Sequence, residues 1–201
     1  MSPALISLAV LIPQGDRRTL CVSSQVGCSL SCTFCHTGTQ KLQRNLKTSE
    51  IIVQFLLNPV KPTNIVFMGQ GEPLYNWKNV ARSVRILTDA DGLALSRNKI
   101  TISTSGIAPL IPKIAGELGV NLAVSLHAPR DDLRSEIMPI NKTYDLAALI
   151  DACKEFVSQA SCTTRRISFE YVMLDGVNDD FSQAAELISL LKDLPAHINL
   201  M

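Results

Sequence analysis

The sequence has 201 residues, of which 46% are hydrophobic and 18% charged, a composition that excludes a disordered chain and predicts a folded domain with a core. The formal net charge of +1 excludes a basic field over the whole chain, so a nucleic-acid partner would be held by a local patch or by parts outside this chain. The N-terminal run MSPALISLAVLIPQG has no basic flank or cleavage pattern and is too short to cross a bilayer. We therefore expect no membrane partner, and we expect the cysteines to lie in a reducing cytoplasm.

The N-terminal run is interpreted as a strand or its lead-in, so residues 1–18 form a lead-in strand region and residues 19–201 one core domain. After it, β-rich segments alternate with segments of helical periodicity. The predicted strands are 19–23, 64–68, 99–103, 121–126, 166–173 and 197–200, and the predicted helices are 49–57, 79–88, 109–118, 146–157 and 182–194. In the helix at 146–157, Asp145 is the expected N-cap and Cys153 is expected in the core.

Alternating strands and helices predict an α/β fold with parallel strands, as a partial barrel or an open sheet. The segments NIVFMG and NLAVSLH are apolar enough to be buried on both faces. In such folds the chemistry lies at the carboxyl ends of the strands. The cysteine loop, GQGEP, STSG and SLHAP all follow predicted strands, which indicates one shared site.

Three cysteines, Cys28, Cys32 and Cys35, lie within eight residues of one another. Zinc would need a fourth ligand, for which only the adjacent His36 is available, and a [4Fe–4S] cluster held by three cysteines would keep one iron open. A third interpretation is that these three cysteines bind no metal. The spacing alone favours a reactive cluster without excluding the others.

Seven motifs in one order carry a resemblance to a known family. CVSSQVGCSLSCTFC, RNLKTSEI, FMGQGEPLYN, ITISTSG, AVSLHAPRDDLR, IMPINKTY and FEYVMLDGVND together resemble the RlmN/Cfr family of radical S-adenosylmethionine RNA adenosine methyltransferases, its RlmN branch in particular. The resemblance implies a partial (β/α)6 barrel, truncated at its C-terminal end, and a [4Fe–4S] cluster on Cys28, Cys32 and Cys35. It also implies S-adenosylmethionine contacts from six residues, namely Gly71, Glu72, Ser103, Ser125, Leu126 and His127.

The resemblance gives Cys21 a separate role. It implies that a cysteine near the family's C-terminus carries the methyl group, which a 5′-deoxyadenosyl radical activates for addition to C2 of adenine. Cys21 would then remove the C2 proton and form a disulfide with that cysteine. We expect Arg17 and Arg18 to lower the pKa of Cys21.

The resemblance further implies ribosomal RNA and transfer RNA as substrates, an electron donor such as flavodoxin or ferredoxin, and a monomer. We expect this chain to be a fragment, because the methyl-carrying cysteine and the accessory RNA-binding domain are not in it, and neither Cys153 nor Cys162 replaces that cysteine. Leu8 stands where the family has a glutamate. The alternatives are another radical S-adenosylmethionine enzyme, such as an activase or maturase, and a non-catalytic metal-binding module.

Overall fold

The computed structural model describes residues 9–160 and 166–201, so Leu8 and Cys162 lie outside the described residues. The chain packs as two compact units. Unit 1 comprises Met1–Leu30 and Cys35–Ser103, and unit 2 comprises Ser31–Phe34 and Thr104–Met201. The cysteine loop thus contributes residues to both units.

The sheet of unit 1 begins with an antiparallel pair and continues with parallel strands. β1 (Val10–Gln14) pairs antiparallel with β2 (Arg17–Cys21), which pairs in parallel with a later strand, Asn64–Phe67. Between them lie two short strands, β3 (Gln25–Val26) and β4 (Arg44–Asn45), paired antiparallel with each other, and helix α1 (Thr48–Leu56). The Asn64–Phe67 strand is β5, α2 is Trp77–Thr88, and β6 (Ile100–Thr104) pairs in parallel with β5.

Unit 2 opens with an irregular helix. A single turn, α3 (Ile111–Lys113), continues into a wider π-helical turn, Ile114–Leu118. The remaining elements are β7 (Asn121–Ser125), α4 (Asp131–Ile137), α5 (Leu146–Gln159), β8 (Ile167–Tyr171), α6 (Phe181–Leu191) and β9 (Ala196–Leu200). β7, β8 and β9 pair in parallel in that order.

The predicted α/β class and the parallel pairing are confirmed, and most predicted elements agree with the observed ones to within about three residues. The N-terminal run contributes a true strand, β1. At 19–23 the strand begins two residues earlier and ends at Cys21. Val22 N–H still donates to the Val66 carbonyl of the Asn64–Phe67 strand, but Ser24 N–H and Gln25 N–H both donate to the Gln70 carbonyl.

Two helical segments differ from expectation. The predicted helix 109–118 is broken into 3₁₀, α and π turns, and its prolines Pro109 and Pro112 cannot donate backbone hydrogen bonds. Helix α4 was not predicted, since seven residues give too short a periodic pattern. In α5 both detailed predictions are confirmed: Asp145 accepts from Ala148 N–H at 2.8 Å, and Cys153 is fully buried. Among the described residues, no helix is long and apolar enough to cross a bilayer.

Candidate functional site

The segment that joins Cys21 to Cys28 is fixed inside unit 1. Residues 22–26 are all buried, including the polar side chains of Ser23 and Gln25. Gln54 of α1 bonds the backbone of Ser23 twice, accepting from its N–H at 2.8 Å and donating to its carbonyl at 3.0 Å. Burial without loss of hydrogen bonds explains why a polar stretch can lie in the core.

The base of the cysteine loop is closed by backbone pairing within unit 1. β3 pairs with β4, Cys28 N–H donates to the Gln40 carbonyl at 3.2 Å, and Cys28 forms an isolated bridge with Lys41. Gly27 has a φ of +77°, and a Cβ there would overlap the Lys41 carbonyl. Only glycine fits this position, which delivers Cys28 to the start of the loop.

The GQGEP loop packs against Gln25. Gly71 has a φ of +91°, and a Cβ at this residue would overlap the Gln25 side chain. Gln25 accepts from Glu72 N–H at 2.9 Å and donates to Asn45 at 2.8 Å, so it ties the loop to β4. The glycine is thus required by a side chain of the protein itself, that of Gln25.

Glu72 is 2% exposed and already makes a structural contact. Its carboxylate accepts from Leu74 N–H at 3.0 Å and caps the 3₁₀ turn Pro73–Asn76. The same carboxylate lies near the Cys28 thiol. Burial chiefly raises the pKa of Cys28, and the negative charges of Glu72 and Cys35 raise it further.

Cys21 lies at the end of β2 and is half-buried. Burial raises the pKa of its thiol, and a hydrogen bond from the Met68 backbone offsets only part of this. The expectation that Arg17 and Arg18 lower this pKa is wrong. The Arg17 guanidinium bonds Thr19 at 3.1 Å and that of Arg18 bonds the Lys61 carbonyl at 2.9 Å.

In unit 2 a fully buried arginine bonds the backbone of the SLH segment, residues 125–127. Arg134 of α4 donates to the Leu126 carbonyl at 3.0 Å and to the Ser125 carbonyl at 2.9 Å. It also donates to the Ser105 carbonyl and to Asn141 Oδ1, both at 2.8 Å. Burial lowers the pKa of Arg134 to about 10. The cation stays charged at neutral pH and fixes the backbone that follows β7.

His127 is locked in one neutral form. It is 3% exposed and adopts a φ of +58°, rare for a residue other than glycine. Its Nδ1 accepts from Val172 N–H at 3.0 Å, so Nε2 carries the ring proton, and its carbonyl accepts from Asn178 at 2.7 Å. Burial, and secondarily the charge of Arg134, lower the pKa of His127 to about 4.

The part of the cysteine loop that belongs to unit 2, residues 31–34, is seated on these same groups. The Phe34 ring meets the His127 ring edge-on, with centroids 4.6 Å apart. Thr33 N–H donates to the Ile137 carbonyl at the end of α4, at 3.0 Å. Cys32 lies close enough to Arg134 to offset part of the lowering of the Arg134 pKa. Three successive residues are therefore oriented by α4 and by the loop after β7.

Ser103 and Ser125, the two predicted serines, occupy the ends of strands. Ser103 is the fourth residue of β6 and Ser125 the last of β7, and both are half-exposed. Neither hydroxyl makes a hydrogen bond within the part of the chain that the structure describes. Leu126, in contrast, is completely buried.

Comparison with known proteins shows the superfamily of this chain. Residues 22–188 match the Radical SAM superfamily. The chain belongs to this superfamily.

Its similarity to individual members is also high. The chain is 50% identical to the "Dual-specificity RNA methyltransferase RlmN" of Methylocella silvestris and 53% identical to that of Rhodospirillum rubrum, in each case over 96% of this chain. It covers 53% and 47% of these proteins, so it spans about half the length of the curated relatives it matches. The resemblance predicted from the motifs is thereby confirmed.

Solved structures support the fold. A radical SAM methyltransferase from Sphaerobacter thermophilus is 46% identical with a TM-score of 0.91, over 96% of this chain and 58% of that one. Streptococcus suis SuiB bound to S-adenosylmethionine has a TM-score of 0.60 at 14% identity, which shows the fold alone. The predicted radical SAM fold is confirmed.

The donor set fits a superfamily cluster better than it fits a single ion. Cys28, Cys32 and Cys35 are half-buried, and no disulfide joins them to one another or to another described residue. Among the described residues, no three His, Cys, Asp or Glu side chains are placed to hold one metal ion. In a [4Fe–4S] cluster each cysteine binds a different iron, so three cysteines leave the fourth iron open. The superfamily match favours the cluster over zinc.

Sequence reasoning missed the residues that hold the loops in place. Gln25, Arg134, Asn141 and Asn178 are buried polar side chains, each with several hydrogen bonds. Asn178 donates to two carbonyls, those of His127 and Val172, both at 2.7 Å. These residues could have been found in the sequence as polar residues at positions where the local pattern places apolar ones. Arg134, for example, lies with Leu133 and Ile137 on the buried face of α4.

Proposed function

We propose that this chain carries the radical SAM core of an enzyme that methylates C2 of an adenosine in 23S ribosomal RNA and in transfer RNA. One observation carries the proposal above the others. Identity of 50–53% extends over 96% of the chain to proteins named dual-specificity RNA methyltransferase, whereas superfamily membership alone would leave the substrate open.

Cys28, Cys32 and Cys35 would hold a [4Fe–4S] cluster. Gly71, Glu72, Ser103, Ser125, Leu126 and His127 would surround S-adenosylmethionine, the two serine hydroxyls as donors or acceptors and the others mainly by shaping the loops. When bound, the two groups supply radical chemistry, which adenine C2 requires because a carbon between two ring nitrogens is too electron-poor to attack a methyl sulfonium. The chain's own contribution is to fix the loops that carry these residues.

Cys21 is proposed to accept the proton that leaves C2. A base must be a thiolate, but burial raises the pKa of Cys21, so the thiol is the resting form. The thiol must therefore lose its own proton before it can act on the substrate. The Met68 N–H beside Sγ stabilises the thiolate that results.

The proposal also names partners. A low-potential electron carrier of the flavodoxin or ferredoxin type would reduce the cluster, and the enzyme would act as a monomer in the cytoplasm, where its RNA substrates are. These follow from the chemistry required and from the family resemblance.

The test is deletion of the gene that carries this sequence, followed by mass spectrometry of 2-methyladenosine in ribosomal and transfer RNA. We expect the modified base to disappear from both RNAs and to return on complementation with the wild-type gene. Complementation with Cys28→Ala should fail, whereas Cys153→Ala, which changes a buried cysteine of α5, should succeed. An unchanged amount of 2-methyladenosine in the deletion strain would refute the proposed reaction.

A second measurement tests the ligand assignment without relying on activity. After anaerobic reconstitution we expect about four irons per chain, lost in Cys28→Ala, Cys32→Ala and Cys35→Ala and retained in Cys21→Ala. Equal loss in all four variants would refute the separate role of Cys21.

A further inference from the structure

Charge is distributed unevenly between the two units, although the whole chain is nearly neutral. Unit 1 has eleven Lys and Arg against five Asp and Glu, a formal charge of +6, and unit 2 has eight against thirteen, a formal charge of −5. A surplus of cations on one unit concentrates anionic partners there. The positions of the surplus Lys and Arg residues of unit 1 therefore indicate where such a partner would bind.

Part of it lies on helix α2, which has three cations and no acid in its 12 residues. Lys78, Arg82 and Arg85 follow one another at four- and three-residue spacing and are all exposed, on the face opposite the buried Val80 and Val84. Like charges at this spacing destabilise an isolated helix. No ion pair among the described residues involves Lys78 or Arg82. Lys78 and Arg82 are therefore available to an external anion.

A groove of about 520 Å³ separates this helix from the start of α1, and we call it the α1–α2 groove. Lys47 and Arg82 line it, together with the hydroxyls of Thr48 and Ser49 and the amide of Asn79, and its remaining lining is apolar, from Ile52 and Ile86. Among the described residues, no carboxylate lines it. Thr48 bonds Asn79 through both its N–H, at 3.2 Å, and its hydroxyl, at 3.1 Å, so the two walls are joined in a fixed geometry.

The acid nearest to Lys47 is already engaged. Glu50 accepts from the Arg44 guanidinium at 2.8 and 2.9 Å and from Lys47 N–H at 2.8 Å. It lines a different groove, of about 490 Å³, together with Val53 and Leu57. Both grooves have apolar residues in their linings, but the charged residue of the neighbouring groove is Glu50, whereas those of the α1–α2 groove are Lys47 and Arg82.

The α1–α2 groove is linked to the candidate site by one hydrogen-bonded chain inside unit 1. Asn79 donates to Asn76 Oδ1 at 2.8 Å, and Asn76 donates to the carbonyls of Ser24 and Leu46, both at 2.8 Å. Asn76 ends the turn that Glu72 caps, and Ser24 lies between Cys21 and Cys28. The lining residue Asn79 is thus joined through the buried Asn76 to the segment that carries Cys21.

We propose that the α1–α2 groove binds the phosphodiester backbone of the RNA substrate, with Arg82 and Lys47 on phosphate oxygens. The inference rests on the proposed RNA methyltransferase function and assigns it a docking surface. Cations supply most of the affinity for a phosphate backbone, and hydroxyl and amide groups add hydrogen bonds that set the register. The fixed Thr48–Asn79 contact means that the groove needs no rearrangement to receive the chain.

The test measures binding of a fluorescently labelled, unmodified transfer RNA transcript by anisotropy, between 50 and 200 mM KCl, with wild type, Arg82→Gln and Lys47→Gln/Arg82→Gln. We expect the single variant to bind about 3–10-fold more weakly at the lowest salt, and the slope of log K against log salt to fall by roughly one per cation removed. The matched control is Lys61→Gln, an exposed lysine just before β5, which removes the same charge from unit 1. It should change affinity less than about twofold.

Two results would overturn the inference. One is equal weakening by Lys61→Gln, which would mean that only the total charge of unit 1 matters. The other is unchanged RNA binding in the double variant. If an acidic electron-transfer protein then reduces the cluster of that variant more slowly, the groove is assigned to this partner instead. The proposed function is judged separately, by 2-methyladenosine in the deletion strain, so either idea can fail alone.

Discussion

Replacement of Arg134 by methionine tests how far one buried cation fixes the loop after β7. Arg134 is fully buried and donates four hydrogen bonds, three to backbone carbonyls and one to Asn141. Asn141 in turn donates to Asp131 at 2.8 Å, and Asp131 also accepts from Leu146 N–H at the start of α5. The substitution therefore removes the centre of a network that joins α4, α5 and the SLH segment.

Two opposing contributions set the change in the free energy of unfolding. Four acceptors lose a partner, at about 1–3 kcal/mol each when buried. Against this, burial lowers the pKa of Arg134 from 12.5 to about 10, which corresponds to about 3 kcal/mol spent on keeping the charge, and methionine removes that cost. The difference is a loss of about 1–9 kcal/mol in the free energy of unfolding, and we expect about 3–5 kcal/mol, the usual loss when one partner of a buried charged network is removed.

Urea unfolding of the apo protein, followed by far-UV circular dichroism, measures this loss. With a typical dependence of about 2 kcal/mol per molar urea, the midpoint should fall by about 1.5–2.5 M. Arg130→Met is the matched control, because Arg130 precedes α4, is exposed and pairs with Asp132 at 3.2 Å, and its loss should cost less than about 1 kcal/mol. Equal midpoints for the two variants would refute the reasoning.

Two further predictions use the same measurement. Gly71→Ala should lower the free energy of unfolding by about 2–5 kcal/mol, because it combines backbone strain at a φ of +91° with overlap on Gln25. The control Gly15→Ala, at a φ of +56° with nothing within 4 Å, should lower it by only about 1 kcal/mol. Similar losses in the two variants would mean that the Gln25 contact is unimportant. For His127, the folded-state pKa of about 4 lies below the usual histidine value of 6.5, so the unfolded chain binds the proton first and stability falls as pH drops from about 6.5 to 4. Wild type should lose about 3 kcal/mol over this range relative to His127→Asn, which tolerates the positive φ, and parallel pH profiles would contradict the assignment.

The fold could be predicted because its signals are local. Buried parallel strands such as β5 and β7 are short apolar runs, and α5 combines an N-cap with a regular apolar stripe. The misses occur where local signals are weak or conflict. Helix α4 is short, and the segment before β7 contains Pro109 and Pro112 within an apolar pattern that otherwise reads as helix.

The chemistry of the site was less accessible than its location. The resemblance named Ser103, Ser125 and His127, and the structure places them in or just after β6 and β7. The pKa of Cys21 could not be predicted, since nearness in sequence to Arg17 and Arg18 says nothing of where long side chains point: Arg18 lies on the opposite face of β2, and Arg17 bonds Thr19. Burial of the thiol, which decides the direction of the shift, is a property of the packed structure.

The positions proposed for S-adenosylmethionine contacts divide by what their side chains already do. Glu72 caps a turn and His127 accepts from Val172, both while buried, so their alteration disturbs the loops as well as any ligand. Ser103 and Ser125 are half-exposed, with no hydroxyl hydrogen bond in the described part of the chain, so a ligand can bond them at little cost to the protein. Loss of cofactor affinity in a serine-to-alanine variant is therefore interpretable as a lost contact. The same loss in a Glu72 variant requires proof that the Leu74 cap has survived.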